Sequence, residues 1–504
     1  MTKNKKGFTL VELLAVIIVL SILMVLIIPE VTKIIKKTQL KSIENSTQGL
    51  MRAIRIAKHE YALDNEMEGL IFTFHDGNEE ANVPDLKLNY TGKKPQNGKI
   101  IIGISGKIGL VFHDGKYCIE KKYENDNIII TEKELENCNF DFQLDKDISG
   151  ANKPVLLNGM TPIIWDEKTK NWIKASNIDD PYEQNWYDYE KKQWANAKTE
   201  DGSFWVWVPR YAYKIINGFH SNVSGTIDIK FLNETSNNSK DNTEIKTEDY
   251  NGETNNTSMH YFLHPAFKFG ENDIPGFWVA KFEPSGDIDN IQILPQKDSL
   301  NNMKIKVFYM GTLKMKNYIC SNNCDTHMMK NTEWGAVAYL TQSEYGINGK
   351  LDQNTSSTST GGIDYTNNKQ QSTTGTIYGI YDMSGGKWEY TMGVMVDSSN
   401  NRLVGYSDFS QDELNKIPNK YIDDYTTYDD AKNLYGDAIY ETSSSDGGLN
   451  SWHGEESDFV TTYHDSFWFG RGSHANSSSY GIFTFVEYDG YFYKGTTFRP
   501  VAIR

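Results

Sequence analysis

The chain has 504 residues, a formal net charge of −16, and an aromatic content that includes 30 Tyr and 23 Phe. Such a length gives a prior of about three domains and is ample for at least one large core, so folding requires no staple or metal. The negative surplus disfavours nucleic acid, and anionic membrane surfaces, as partners of the chain's body.

The first seven residues are basic (Lys3, Lys5, Lys6), and an uncharged run follows over 8–28, broken only by Glu12. At about 1.5 Å per residue this run reaches the roughly 30 Å of a bilayer core, so it predicts a transmembrane helix. An ordinary secretory signal places a small-residue cleavage site after its apolar core, whereas here Gly7 precedes it, so the helix is expected to be retained. Loss of the three leader lysines takes the net charge from −16 to −19. Glu12 puts a carboxylate at membrane depth, which is costly and marks a function, the plainer reading being that it reaches the interface. Beyond Pro29 the apolar residues Ile43, Leu50, Ile54, Ala57 and Tyr61 recur at helical spacing. A continuous helix over 8–63, on the order of 80 Å long, is expected.

Short strand-like runs at 70–74, 99–104, 108–112 and 127–131, separated by Asp-Gly, Asn-Gly and Asp-Asn turns, predict a small antiparallel sheet over 64–148. The four cysteines form two local pairs, Cys118 with Cys138 and Cys320 with Cys324. In an exported chain these read as disulfides, and in a reducing compartment as thiols or ligands. All eleven tryptophans lie from Trp165 onward. That change of composition places a boundary at a linker over 149–154, with a second domain over 155–504. Within it, the Asn/Ser/Thr-rich stretches near 233–256 and 354–374 are expected to be surface loops.

The residues Lys6, Gly7, Phe8, Thr9, Leu10, Val11, Glu12, Leu13 and Leu14, with Pro29 beyond them, resemble the cleavage and methylation motif of type IV pilins and pseudopilins. The resemblance implies that a prepilin peptidase cuts between Gly7 and Phe8, and that Phe8 becomes an N-methylated first residue. It also implies that Glu12 meets the positive N-terminus of a neighbouring subunit during assembly, an opposite charge that offsets the cost of burial only in register. A helix followed by a small sheet is the pilin pattern.

The blocks 204–211 and 276–283 are aromatic, β-branched strands suited to a buried sheet. Asp382, Met383, Ser384, Gly385, Gly386, Lys387, Trp388, Glu389 and Tyr390 resemble the D-M-x-G-N-x-W-E-W signature of the formylglycine-generating-enzyme-like branch of the C-type lectin fold. Arg471, Gly472 and Ser473, and Phe498, Arg499 and Pro500, resemble its later blocks. The implied fold class is α+β: a long helix with a small pilin sheet, then a C-type-lectin-like domain. The family's oxidase chemistry needs reactive cysteines near the C-terminal end, and none follows Cys324, so no catalytic residue and no cofactor is expected. Cys320, Cys324 and His327 are only three candidate ligands where zinc takes four, so no metal is expected. His260, His264, His453, His464 and His474 are scattered, without a recognisable nucleophile partner.

Residues 467–504 resemble the C-terminal display segment of variable proteins of diversity-generating retroelements. In that likeness Arg471, Gly472, Gly481, Phe483, Phe485, Gly490, Phe498, Arg499 and Pro500 are scaffold. His474, Ala475, Asn476, Ser477, Ser478, Glu487, Tyr488, Asp489, Tyr491, Phe492 and Tyr493 form a Tyr/Ser/Asn-rich binding set. If the segment is extended, Tyr488, Tyr491, Phe492 and Tyr493 cannot all face one interior, so some are expected to be exposed. The expected protein is a minor or tip pilin-like subunit, anchored in the cell membrane and then carried to the surface. Its expected partners are the prepilin peptidase, other pilin subunits and an extracellular protein or glycan. The rivals are a structural pseudopilin of a secretion or DNA-uptake machine, and a formylglycine-type oxidase. For DNA, Lys93, Lys94, Lys99 and Lys107 are the only modest basic candidates.

Overall fold

The computed structural model describes residues 9–62, 70–83, 86–103, 106–122, 127–138, 147, 149–179, 181, 184–247, 256–426, 435–444, 450–460, 462, 465–475 and 477–504. The chain is α+β and divides into two compact units: Met1–Asp145 with Asp180–Glu183, and Lys146–Asp179 with Gln184–Arg504.

In the first unit helix α1 runs unbroken over Leu10–Ala62, with Pro29 inside it. Its first half exposes apolar side chains on every side, among them Leu13, Ile17, Leu23, Ile27 and Ile34. A surface of that kind needs lipid or neighbouring helices to cover it. The second half turns amphipathic, and Leu50, Met51, Ile54 and Ala57 pack on a six-stranded sheet. Complete burial of a side chain such as Leu50 or Ile54 stabilises by about 1.5–3 kcal/mol.

The strands are β1 (Leu70–His75), β2 (Asn78–Ala81), β3 (Asn97–Ile102), β4 (Ile108–His113), β5 (Tyr117–Lys121) and β6 (Ile128–Glu132). Their order is β2-β1-β3-β4-β5-β6, with every pair antiparallel. Alternation puts Leu70, Phe72, Phe74, Ile100, Ile102, Leu110, Phe112, Tyr117 and Ile119 on the helix side. Strands β2 and β5 have no counterpart among the sequence expectations. Glu79 and Glu80 mask the first, and β5 is a five-residue run ending in Glu120 and Lys121.

Cys118, between Tyr117 and Ile119, therefore faces the opposite side of the sheet, where it is bonded to Cys138 beside Val111. Replacing both cysteines with serine is expected to destabilise this unit by about 3 kcal/mol, because a closed loop of this length limits the unfolded chain. Limited proteolysis followed by peptide mapping should show faster cleavage within 70–138. Unchanged protection would mean that the bond adds nothing.

The second unit is built on a seven-stranded sheet in the order Asp325–Met328, Pro500–Ile503, Gly276–Ala280, Phe204–Pro209, Asn196–Lys198, Thr161–Asp166, Asn171–Lys174. The chain's last strand thus lies inside the sheet, and Trp205, Trp207 and Trp278 are fully buried on or between its neighbours. A second sheet centres on Trp388–Met395, which pairs with Trp468–Arg471 antiparallel and with Asp423–Tyr425 and Thr496–Phe498 parallel. The helix Asn331–Thr341 is buried along its whole length.

Two expectations are corrected here. Residues 149–154 are not a free linker: Pro154 is buried, and the Asn152 amide donates to Pro275 O (3.0 Å) and Glu234 O (2.9 Å). The loop over 354–374 is only partly at the surface: Thr355, Ser357, Thr358, Ile363, Asn367 and Asn368 are exposed, but Asn354, Thr360, Ser372, Thr373 and Thr374 are buried. Its buried polar groups make bonds inside the fold. Asn354 Nδ2 donates to Asp382 Oδ1 (2.8 Å), Thr360 Oγ1 to Leu294 O (2.6 Å), and Ile380 N to Thr373 Oγ1 (2.9 Å). By contrast, most of 233–247 is at the surface, while 248–255 lie outside the described residues.

Candidate functional site

At the head of α1, Thr9 and Glu12 form a reciprocal cap. Glu12 N donates to Thr9 Oγ1 (3.3 Å), and Thr9 N and Oγ1 each donate to Glu12 Oε2 (2.9 Å). In the single chain the carboxylate is therefore used within its own first turn. Gly7 and Phe8 lie outside the described residues.

The second site lies in the second unit, around the start of strand Trp388–Met395. The approach to that strand depends on two positive-φ glycines. A side chain at Gly385 would collide with the Asn354 backbone at 2.3 Å, and one at Gly386 with the Glu283 carboxylate at 2.4 Å. With both absent, Lys387 N donates to Glu283 Oε1 (2.7 Å) and Trp388 N to Gly495 O (2.9 Å).

The segment after Phe485–Tyr488 is a loop rather than a strand, and scaffold bonds fix it. Tyr406 N donates to Asp489 O (2.7 Å), Asn302 N to Tyr493 O (3.0 Å), and Tyr390 OH to Tyr491 O (3.0 Å). Asp489 braces it from within, accepting from Tyr491 N (2.9 Å) and Tyr493 OH (2.8 Å). Exposure of Phe492 and Tyr493 follows from this loop geometry, not from alternation along an extended strand.

The result is a continuous aromatic cluster in which Trp388 and Tyr390 are buried and one edge is an exposed face. Trp388 contacts Tyr480 (5.1 Å between centroids), His474 (6.0 Å) and Tyr488 (6.1 Å). Tyr488 continues to Tyr390 (5.4 Å) and Tyr493 (5.9 Å). Tyr491 stacks on Phe492 (4.1 Å) and meets Tyr493 (6.0 Å) and Tyr406 (6.1 Å). Tyr406, Phe492 and Tyr493 are the exposed rings, at 52 %, 40 % and 40 %. Desolvation and the bond to Asp489 push Tyr493 up to about 12, so its phenol stays neutral. Lys304 ion-pairs with Asp408 (2.7 Å) and stands 5.7 Å from the Tyr491 centroid.

Of the residues expected to bind, His474 and Ser478 are exposed, and Ser477, Glu487, Tyr488, Asp489 and Tyr491 are half-buried. Ala475 is buried, and Asn476 lies outside the described residues. Tyr406, Tyr480 and Lys304 join the face without having been singled out as binding residues, and Tyr390 is buried behind it. Nothing in the local sequence marks Tyr406, which the fold brings in from a separate loop.

The other candidates resolve differently. Cys320 and Cys324 are bonded to each other, so neither sulfur is a ligand beside His327. The His327 ring is held between Asp325 (3.0 Å) and Glu333 (2.9 Å). His453 does have a hydroxyl neighbour, Ser224, at 3.3 Å from Nδ1, with Gln342 at 2.9 Å from Nε2. Burial lowers His453 to about 4, too weakly basic to activate a serine at neutral pH. Lys93 pairs with Asp114 (3.0 Å).

A helix whose first half is apolar all round and whose second half packs on a small antiparallel sheet defines a membrane-anchored, pilin-like subunit. The prokaryotic N-terminal methylation motif matches residues 2–28. ComG operon protein 3 homolog of Bacillus licheniformis is 35 % identical over 106 residues, covering 21 % of this chain and 95 % of that protein. Competence protein ComGC of Bacillus subtilis is 34 % identical over 108 residues, with the same coverages. Through its N-terminal part the chain belongs to this family of pilin-like proteins.

Proposed function

We propose that the protein is a minor or tip pilin-like subunit that presents its second unit as a ligand-binding module on the cell surface. In this reading a prepilin peptidase cuts after Gly7, α1 enters a filament with other pilin subunits, and the C-type-lectin-like unit binds an extracellular protein or glycan. The observation that carries it is the aromatic face: exposed Phe492 and Tyr493 on a loop fixed by scaffold bonds, with exposed Tyr406 brought beside them from a separate loop. Tyrosine-rich surfaces of low rotational freedom bind with little ordering cost. Sparse or terminal placement follows from size, since about 350 residues on every subunit would crowd a thin fibre.

The test is binding of full-length protein in detergent to glycan arrays and envelope fractions, compared with a Tyr406→Ala, Phe492→Ala, Tyr493→Ala variant. Loss of these rings is expected to weaken binding at least about tenfold while the tryptophan fluorescence melt is unchanged. No saturable binding, or binding indifferent to the three rings, would overturn the reading.

The names of the two relatives favour a second reading, a structural pseudopilin of a competence machine. Deleting the gene would then abolish DNA uptake, and the triple variant would restore it fully.

A further inference from the structure

Away from the aromatic face, a cleft of about 370 Å³ opens in the second unit between the hairpin at Lys268–Asp273 and the turn Asn419–Tyr421. Gly270, at φ +64, lets the hairpin tip pass close to Lys420, whose Cβ would lie 3.7 Å from any side chain placed there. Three lysines line this cleft, Lys268, Lys330 and Lys420, against a single carboxylate, Glu271. Behind them, Asp423 lies beside Lys330 and Asp325 beside Lys420.

Lys330 is the informative residue. Its side chain is only 7 % exposed, and its ammonium reaches Asp423 Oδ1 at 3.6 Å, longer than a hydrogen bond. Asp423 divides its carboxylate: Oδ1 ion-pairs with Lys330, while Oδ2 accepts from Thr332 N (2.9 Å) and Thr332 Oγ1 (3.0 Å). Among the described residues no acceptor lies within hydrogen-bond distance of the Lys330 ammonium, although it borders the cleft. Burial opposes its charge, but Asp423 and Glu333 hold it above the ordinary lysine value, so it is a cation. An ammonium held at the cleft by one carboxylate keeps donors that an anionic guest can meet.

Lys420 sits over the rings of Phe269 (4.6 Å) and Tyr421 (4.5 Å), and its ammonium is 3.3 Å from Asp325 Oδ2. Asp325 also serves His327 (3.0 Å) and Tyr421 OH (2.6 Å), so it neutralises Lys420 only in part. Lys268 is exposed at the rim.

We propose that this cleft binds the phosphate group of a small phosphate ester. Ammonium groups without an arginine fork suit a phosphate better than a carboxylate, because they act as point charges and a phosphate offers more oxygens and more charge. The volume exceeds a bare phosphate, and Leu263 and Pro265 give the organic part an apolar wall. The site is independent of the aromatic face and of the function proposed above.

The experiment is titration calorimetry on the full chain in detergent with glycerol 3-phosphate, inorganic phosphate and acetate. Saturable binding of glycerol 3-phosphate, tighter than inorganic phosphate and much tighter than acetate, is the expected order. Lys330→Gln should weaken it roughly tenfold, and Lys268→Gln about threefold, with an unchanged fluorescence melt. If Lys330→Gln does not fold, Lys268→Gln with Lys420→Gln gives the same reading from the rim. No heat from either phosphate, acetate binding as tightly as phosphate, or affinity unmoved by the foldable lysine variants would each overturn the proposal.

Discussion

Arg499→Met is expected to destabilise the second unit by about 3–5 kcal/mol, because it strands a buried carboxylate. Arg499 Nε donates to Glu389 Oε2 (2.8 Å), and its Nη2 pairs with Glu389 Oε1, while the remaining donors reach Ala280 O (2.7 Å) and Tyr381 O (3.1 Å). The pair thereby joins strand Trp388–Met395 to strand Gly276–Ala280, which belong to different sheets. Desolvation pushes Glu389 up to about 7 even with the guanidinium beside it, against an unfolded value of 4.5. A group raised in the folded state contributes most below 4.5, and that contribution is lost as pH rises through about 7. Removing the cation that held the value down raises it further, so the variant's loss should be larger near about pH 8 than near about pH 5. Tryptophan fluorescence in urea reports this directly, because all eleven tryptophans lie in the second unit. Adding Glu389→Leu to Arg499→Met should recover part of the loss. An unshifted midpoint, or a loss independent of pH, would remove the pair from the account of this core.

Glu12→Ala should leave cleavage after Gly7 largely intact and lower filament incorporation at least about tenfold, if its charge meets a neighbouring N-terminus as the pilin resemblance implies. The structure supplies a competing role, since the same carboxylate caps Thr9 in the first turn. A lost cap costs only about 1 kcal/mol. Glu12→Gln separates the two: glutamine can close the same reciprocal cap but carries no charge. Incorporation into sheared filaments, read by immunoblot against total processed protein, should fail for Gln as it does for Ala. Recovery with Gln would assign Glu12 to helix capping alone.

The N-terminal unit was largely legible because its signals are local. The run over 8–28 has one charge, the later apolar residues repeat at helical spacing, and short strand-like runs between turn residues mark β1, β3, β4 and β6. The observed helix, Leu10–Ala62, matches the expected 8–63 except at Thr9, with residues 8 and 63 outside the described residues. The second unit was legible in its strands and glycine blocks but not in its polar loops. Asn354, Thr360 and Thr373 look like surface residues because composition records their polarity and not their partners.

The sequence by itself determined the anchor, the cleavage motif, the helix and the segregation of tryptophans into one unit, since each rests on neighbours in the chain. Only the tertiary structure decided which residues share a surface. Tyr406 reaches Tyr491, and Trp388 reaches Tyr480, across loops far apart in sequence. Lys268, Lys330 and Lys420 meet in one cleft although each is unremarkable where it stands. Such sites depend on how strands pair and loops close, and that pairing is fixed by packing across the whole core rather than by any local pattern.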